Sequence, residues 1–146
     1  GHAKDYVEMQ WLMLQQKKAK DYVISSGKRY SVRQFIIEAG KNLGIDIKFK
    51  GKNSSEVGYI SKVNKNCSFN FNKDQIIIRV DKKYIRPAEV EVLHGNSTLA
   101  RKELKWKPKI TFKELVREMI EKDLKLVQEK IIIDNYRNVS SSENNA

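Results

Sequence analysis

Ser31-Val32-Arg33-Gln34-Phe35-Ile36-Ile37-Glu38-Ala39-Gly40-Lys41-Asn42-Leu43-Gly44-Ile45-Asp46-Ile47-Lys48-Phe49 encodes a helix and a strand back to back. Ser31 followed by Gln34 is a capping-box pattern, in which each residue satisfies a free amide of the other. Val32, Phe35, Ile36, Ala39 and Leu43 recur at helical spacing and mark one apolar face. Gly44 supplies the left-handed residue that closes such a helix. Ile45 to Phe49 then alternates apolar and polar side chains, the period of a half-buried strand. Helix and strand in direct succession predict an α/β chain.

The pattern extends in both directions. Towards the N-terminus, Asp5 with Glu8 three residues on predicts a helix start. That helix spans residues 1–18 and carries Val7, Trp11 and Leu14 on one face. Met9, Leu12 and Met13 fall round the other side, and Lys17 and Lys18 complement the dipole at its end. Tyr22 to Ser25 reads as a short strand and Ser26-Gly27 as a turn. Towards the C-terminus, residues 50–74 are rich in Gly, Asn, Ser and Lys. They read as a loop insertion with one short strand near Val57 to Ile60. Gln75 to Val80 is a β-branched strand candidate, and Asn96 or Ser97 starts a helix through Leu104. Thr111-Phe112-Lys113-Glu114 is a second capping box, followed by a stripe of Leu115, Val116, Met119, Ile120, Leu124 and Val127. Residues 129–146 read as a polar, disordered tail. The strands are too few and too scattered for a complete doubly wound sheet.

Composition narrows the chemistry. The 146 residues suffice for one compact domain, with a formal net charge of +11. Such a charge attracts polyanions. Lysines spread along the chain, without an aromatic-interleaved basic run, favour a solvated surface over a nucleic-acid groove. The single cysteine, Cys67, excludes an internal disulfide and fits a reducing, cytoplasmic setting. No apolar run approaches a membrane span, and no signal peptide is visible. The chain opens at Gly1 rather than Met, which reads as a cut tag or a start inside a longer protein.

Catalytic signatures are missing from the sequence. There is no Gly-x-Gly-x-x-Gly dinucleotide loop and no Gly-x-x-x-x-Gly-Lys-Ser/Thr phosphate loop. His2 and His94 have no Cys or carboxylate at metal-ligand spacing. None of the six tyrosines has Lys four positions later. Binding chemistry remains. In Tyr84-Ile85-Arg86-Pro87-Ala88-Glu89-Val90-Glu91, a guanidinium and a carboxylate lie three residues apart around a rigid proline. An Arg fork holds two phosphate oxygens, and a carboxylate accepts from two ribose hydroxyls. The same spacing also suits a loop salt bridge. Ser31, at a helix N-terminus, and Arg33, in its first turn, are further phosphate-binding candidates. They serve equally as a cap and a surface cation.

Taken in order, several blocks resemble the C-terminal part of the GDP-mannose 4,6-dehydratases, within the extended short-chain dehydrogenase/reductases. The blocks are Gly1 to Gln15, Tyr30 to Phe35, Tyr84 to Gly95, Lys105 to Lys109 and Phe112 to Met119. The Trp-Lys-Pro element is common to many sugar-nucleotide enzymes; the first helix together with the Arg-Pro-Ala-Glu-Val block is far more specific. The resemblance covers residues 1–128 and implies the C-terminal substrate-binding portion of an extended short-chain dehydrogenase/reductase. Its N-terminal Rossmann domain, with NADP and the catalytic residues, would lie upstream. Residues 1–18 would pack on that missing domain.

The complete enzyme so implied converts GDP-mannose to GDP-4-dehydro-6-deoxy-D-mannose and forms a homo-oligomer, while the present chain alone would bind no cofactor and be inactive. Arg86 matches the family arginine on the diphosphate and Glu89 the acidic residue on the ribose. Ser31 and Arg33 match the helix start lining the nucleotide pocket. Another nucleotide-sugar dehydratase, epimerase or reductase of the same fold, or a small basic nucleic-acid-binding module, are the alternatives. Neither nucleic acid nor membrane is an expected partner under the leading reading.

Overall fold

A computed structural model describes residues 1–84 and 94–143, with side chains through residue 135. The elements in chain order are α1 (Ala3–Leu14), α2 (Val32–Asn42), β1 (Ile45–Lys50), β2 (Val57–Val63), β3 (Ile76–Arg79), α3 (Thr98–Glu103) and α4 (Phe112–Glu143). The mixed α/β expectation holds: the strands form one antiparallel sheet in the order β1-β2-β3.

Both capping boxes close as their spacing predicts. The Ser31 hydroxyl accepts from the Gln34 amide at 3.1 Å, and the Gln34 side chain accepts from the Ser31 amide at 2.7 Å. Thr111 and Glu114 do the same at the start of α4, at 3.3 and 2.7 Å. Gly44 ends α2 with φ +79, as a left-handed closing residue should. Gly40 has a different task. A Cβ there would lie 2.6 Å from Ile47 Cδ1 and 3.2 Å from the Ile45 carbonyl oxygen, so any larger residue would force Ile47 or α2 to shift. Ile45, Ile47 and Ile60 form the buried centre of this half, with Ile36, Leu43, Phe49 and Cys67 against it. The Cys67 thiol donates to the Leu43 carbonyl at 3.2 Å, a packed role rather than a reactive one.

Residues 50–74 are more than a loop. They contribute β2, three residues longer than the short strand expected, and β2 is the central strand of the sheet. The expected strand at Val57 to Ile60 is the first part of β2; its buried positions are Gly58 and Ile60, and the remaining Ser61 to Val63 continue the pairing with β1. Conversely, Tyr22 to Ser25 joins no ladder among the described residues. Side chains tie it down instead: Tyr22 donates to Glu103 at 2.8 Å, and Ser25 to the Gly95 carbonyl at 2.7 Å.

The second half of the molecule is built round α1. Asp5 is not its cap. His2 caps α1, its Nδ1 accepting from the Lys4 amide at 3.0 Å. Asp5 turns inward, 2% exposed, and its carboxylate accepts from the Lys109 and Ile110 amides, both at 3.1 Å. Its backbone carbonyl accepts from Trp106 Nε1 at 2.9 Å. Met9, Ala100, Leu104 and Trp106 pack as one buried cluster beside these bonds. The opposite face of α1 stays open, with Val7, Trp11 and Leu14 between 59% and 82% exposed.

α4 also departs from expectation. It runs on to Glu143, through residues read as a disordered tail. Its apolar stripe is buried at Val116 and half-buried at Leu115, Ile120 and Leu124, but Met119, Leu126, Val127 and Ile131 to Ile133 are exposed. The start of the extension has the i,i+4 pair Lys125–Glu129 as a local support rather than burial.

Two predictions follow from these ties. Asp5→Ala leaves two amides without their acceptor and should destabilise the fold by about 2–6 kcal/mol, at 1–3 per orphaned group. A change under about 1 kcal/mol in urea unfolding would contradict it. The second concerns Glu103, held below the usual carboxylate range by hydrogen bonds first from Lys20 and then from Tyr22. A depressed carboxylate stabilises above its unfolded pKa and loses that contribution as pH falls through the folded value. Lys20 and Tyr22 are raised by the same Glu103 bond, so their share is lost as pH climbs through their raised values. The gap in thermal midpoint between native protein and Glu103→Gln should be present at neutral pH and close at both extremes. A gap that is constant with pH would refute this.

Candidate functional site

The two residues before α1, the 26–30 segment, Arg101 of α3, and the stretch from Lys107 into the first turn of α4 enclose a cleft of about 520 Å³. That size lies within the range of small-molecule sites. Its walls come from residues far apart in sequence: Gly1 and His2, then Ser26, Lys28 and Tyr30, then Arg101, then Lys107 through Phe112. The Asp5 bonds to Lys109 and Ile110 fix the last wall against the first.

One side of the cleft is aromatic. Tyr30 stacks on Phe112 with ring centroids 3.9 Å apart and planes at 8°. Phe35 of α2 meets Phe112 edge-on at 6.3 Å, so Phe112 holds Tyr30 to the α2–α4 junction. The rim is cationic. Arg101 Nη2 donates to the Ser26 carbonyl at 2.9 Å and its Nε to the Ser97 hydroxyl at 3.2 Å, which fixes its plane. Lys109 is matched by Glu8 at 2.7 Å. Lys28 and Lys107 have no ion-pair partner among the described residues, and their charge is open to a ligand. Such a concave cluster of one sign raises the local concentration of anions.

His2 is committed to structure. Because Nδ1 accepts from Lys4, the hydrogen-bond pattern assigns the ring proton to Nε2, which donates to Glu118 at 3.2 Å. It thereby links the start of α1 to α4. Among the described residues no group of three or more His, Cys, Asp and Glu is placed to hold a metal ion. The arrangement favours binding of an anion carrying a flat or apolar group.

Of the residues singled out from sequence, Ser31 and Arg33 stand together at the start of α2, next to Tyr30. The Ser31 hydroxyl is the α2 cap. Arg33 Nη2 donates to Glu56 at 2.5 Å, and its guanidinium carbon lies 5.8 Å from the centre of the Phe49 ring. Arg86 and Glu89 lie outside the described residues. Lys28, Arg101 and Lys107 escaped sequence reasoning because each is one of 29 lysines and arginines with no distinguishing neighbour. Only the folded chain selects them.

Comparison with known proteins bears on all of these elements at once. A family model described as GDP-mannose 4,6 dehydratase matches residues 1–119. A GDP-mannose 4,6-dehydratase of Vibrio cholerae serotype O1 is 44% identical over 136 residues, covering 93% of this chain and 36% of the relative. The Homo sapiens GDP-mannose 4,6 dehydratase is 43% identical over 128 residues, covering 88% and 32%. That of Dictyostelium discoideum is likewise 43% identical over 128 residues, covering 88% and 33%. The chain spans about a third of the length of these curated relatives.

If the open cations define the cleft, Lys28→Glu with Lys107→Glu should weaken capture of inorganic pyrophosphate by about tenfold or more at low salt. The loss should shrink as salt approaches about 1 M, where screening is nearly complete. Equal binding by native and variant proteins in low-salt calorimetry would remove the cleft as an anion site.

Proposed function

The chain belongs to the GDP-mannose 4,6-dehydratase family, and from that premise we propose that it is the GDP-sugar-binding region of an enzyme converting GDP-D-mannose to GDP-4-dehydro-6-deoxy-D-mannose by loss of water. The observation that carries the proposal is spatial. Four sequence blocks that resemble the family, at Gly1–Gln15, Tyr30–Phe35, Lys105–Lys109 and Phe112–Met119, each contribute to the lining of one cationic cleft. A nucleoside diphosphate sugar presents the doubly anionic, partly flat ligand that such a cleft suits.

Each binding residue has a chemical part. Arg86 would hold diphosphate oxygens through its guanidinium fork, and Glu89 would accept from the ribose hydroxyls. Ser31 fixes the start of α2, and Arg33 in its first turn presents a cation beside it. Lys28 and Lys107 would draw the diphosphate in by their field.

The family reaction implies NADP, which takes up and returns a hydride when bound. The residues present do not fit a dinucleotide. The sequence has no glycine loop, and the described sheet is antiparallel without the crossover unit that forms such a site. Holding the cofactor, and the acid–base chemistry, would fall to polypeptide outside this sequence. In this proposal the complete enzyme is an NADP-dependent lyase and a homo-oligomer. Among the described residues no helix is long and apolar enough to cross a membrane.

In the complete protein, Arg86→Ala should weaken GDP-mannose binding by about 1.5–3 kcal/mol, the range for a hydrogen bond to a charged group. Unchanged affinity by calorimetry would sink the assignment of Arg86. Turnover of UDP- or dTDP-sugars in preference to GDP-mannose would replace the proposed substrate with another nucleotide sugar.

A further inference from the structure

The insertion reaches Arg33, at the start of α2, through the Glu56 side chain. Glu56 sits where the chain enters β2, and its carboxylate accepts from Arg33 Nη2 at 2.5 Å. The two partners differ in exposure. The Glu56 side chain is 15% exposed and the Arg33 side chain 60%, so the acid is anchored and the cation faces outward. The backbone of Glu56 is fixed from both sides: its amide donates to the Asn53 carbonyl at 3.2 Å, and the next residue, Val57, pairs with Lys50 and Arg79. Arg33 is further confined by Phe49, 5.8 Å below its guanidinium carbon. Nε and Nη1 of Arg33 have no hydrogen-bond partner among the described residues.

We propose that Glu56 is a positioning residue for anion binding: it orients the Arg33 guanidinium so that the edge not bonded to Glu56 is presented to the diphosphate of the nucleotide sugar. The inference rests on the functional reading above. The physical reason is entropic. A free arginine must be ordered when it binds an oxyanion, at a cost of about 0.5–1.5 kcal/mol for a rotamer-rich side chain. A guanidinium already clamped between a carboxylate and an aromatic ring avoids that cost. Glu56 also has an opposing effect, because its charge lies close to the phosphate that Arg33 would hold. The acceptor oxygen gives orientation, whereas the negative charge opposes the ligand. A glutamine separates the two, since it keeps the oxygen and drops the charge.

The test is calorimetric titration of the complete protein with GDP-mannose, alongside thermal unfolding. Glu56→Ala should weaken binding about three- to tenfold, the factor equivalent to ordering one side chain. Glu56→Gln should bind as tightly as the native protein or more tightly. In an Arg33→Ala background, Glu56→Ala should have no further effect. Thermal midpoints should stay nearly unchanged, because an ion pair whose cation is largely in solvent adds little to stability. Tighter binding by Glu56→Ala would mean that Glu56 sequesters Arg33, and would overturn the proposal. So would equal weakening in the Ala and Gln variants, a loss that persists without Arg33, or a fall in thermal midpoint that parallels the loss of affinity. A native protein that fails to bind GDP-mannose would defeat the functional reading itself, and this inference with it. Native binding with unaltered Glu56→Ala affinity would defeat the inference alone.

Discussion

Asp5 is the point on which half of the molecule turns. Its carbonyl takes the Trp106 indole N–H, and its two carboxylate oxygens take the Lys109 and Ile110 amides. Three donors from the link between α3 and α4 thus end on one buried residue of α1. Each of these groups would be costly to leave unpaired away from water, so the link can adopt few other paths. Trp106 is carried into the cluster with Met9, Ala100 and Leu104, and the turn that follows delivers Phe112 to the start of α4. The cleft is a consequence of that path, since one of its walls is the same Lys107–Phe112 turn.

The other half obeys a different constraint. Around Ile45, Ile47 and Ile60 the limit is steric, with Gly40 allowing α2 to lie against β1 without a Cβ between them. The aromatic group of Tyr30, Phe35 and Phe112 joins the two halves. It sets Tyr30, the residue before the α2 cap, in the wall of the cleft that the Asp5 bonds create, while Ser31 and Arg33 follow it outside the lining. Binding chemistry and packing are therefore not separable here. The residues that would hold an anion stand where they do because two cores share one aromatic contact.

Local signals in the sequence were legible where the interaction itself is local. The boxes at Ser31–Gln34 and Thr111–Glu114 span three residues, and both are found as spaced. Gly44 closes α2 for the same reason. Asp5 was misjudged because an acid followed three residues later by Glu8 fits a cap equally well; the partners that claim it lie more than a hundred residues away. Tyr22 to Ser25 has the composition of a strand, but extended backbone becomes a strand only when another edge pairs with it. The first four residues of β2 are legible in the sequence, but its central place in the sheet is not, because a central strand is defined by its neighbours on both sides. The helical course of α4 beyond Gln128 was hidden by the polar composition of its end.

The sequence by itself determined the mixed α/β class, the helix starts set by side-chain caps, and, through its ordered blocks, the resemblance to one enzyme family. Those features depend on residues within a few positions of each other or on the order of whole motifs. Tertiary structure alone decided that Asp5 is a buried acceptor, that Lys28, Arg101 and Lys107 share a rim, and that Glu56 holds Arg33. No spacing rule selects these residues from a chain with 29 cations, because each acquires its role from a partner that only folding brings within a few ångströms.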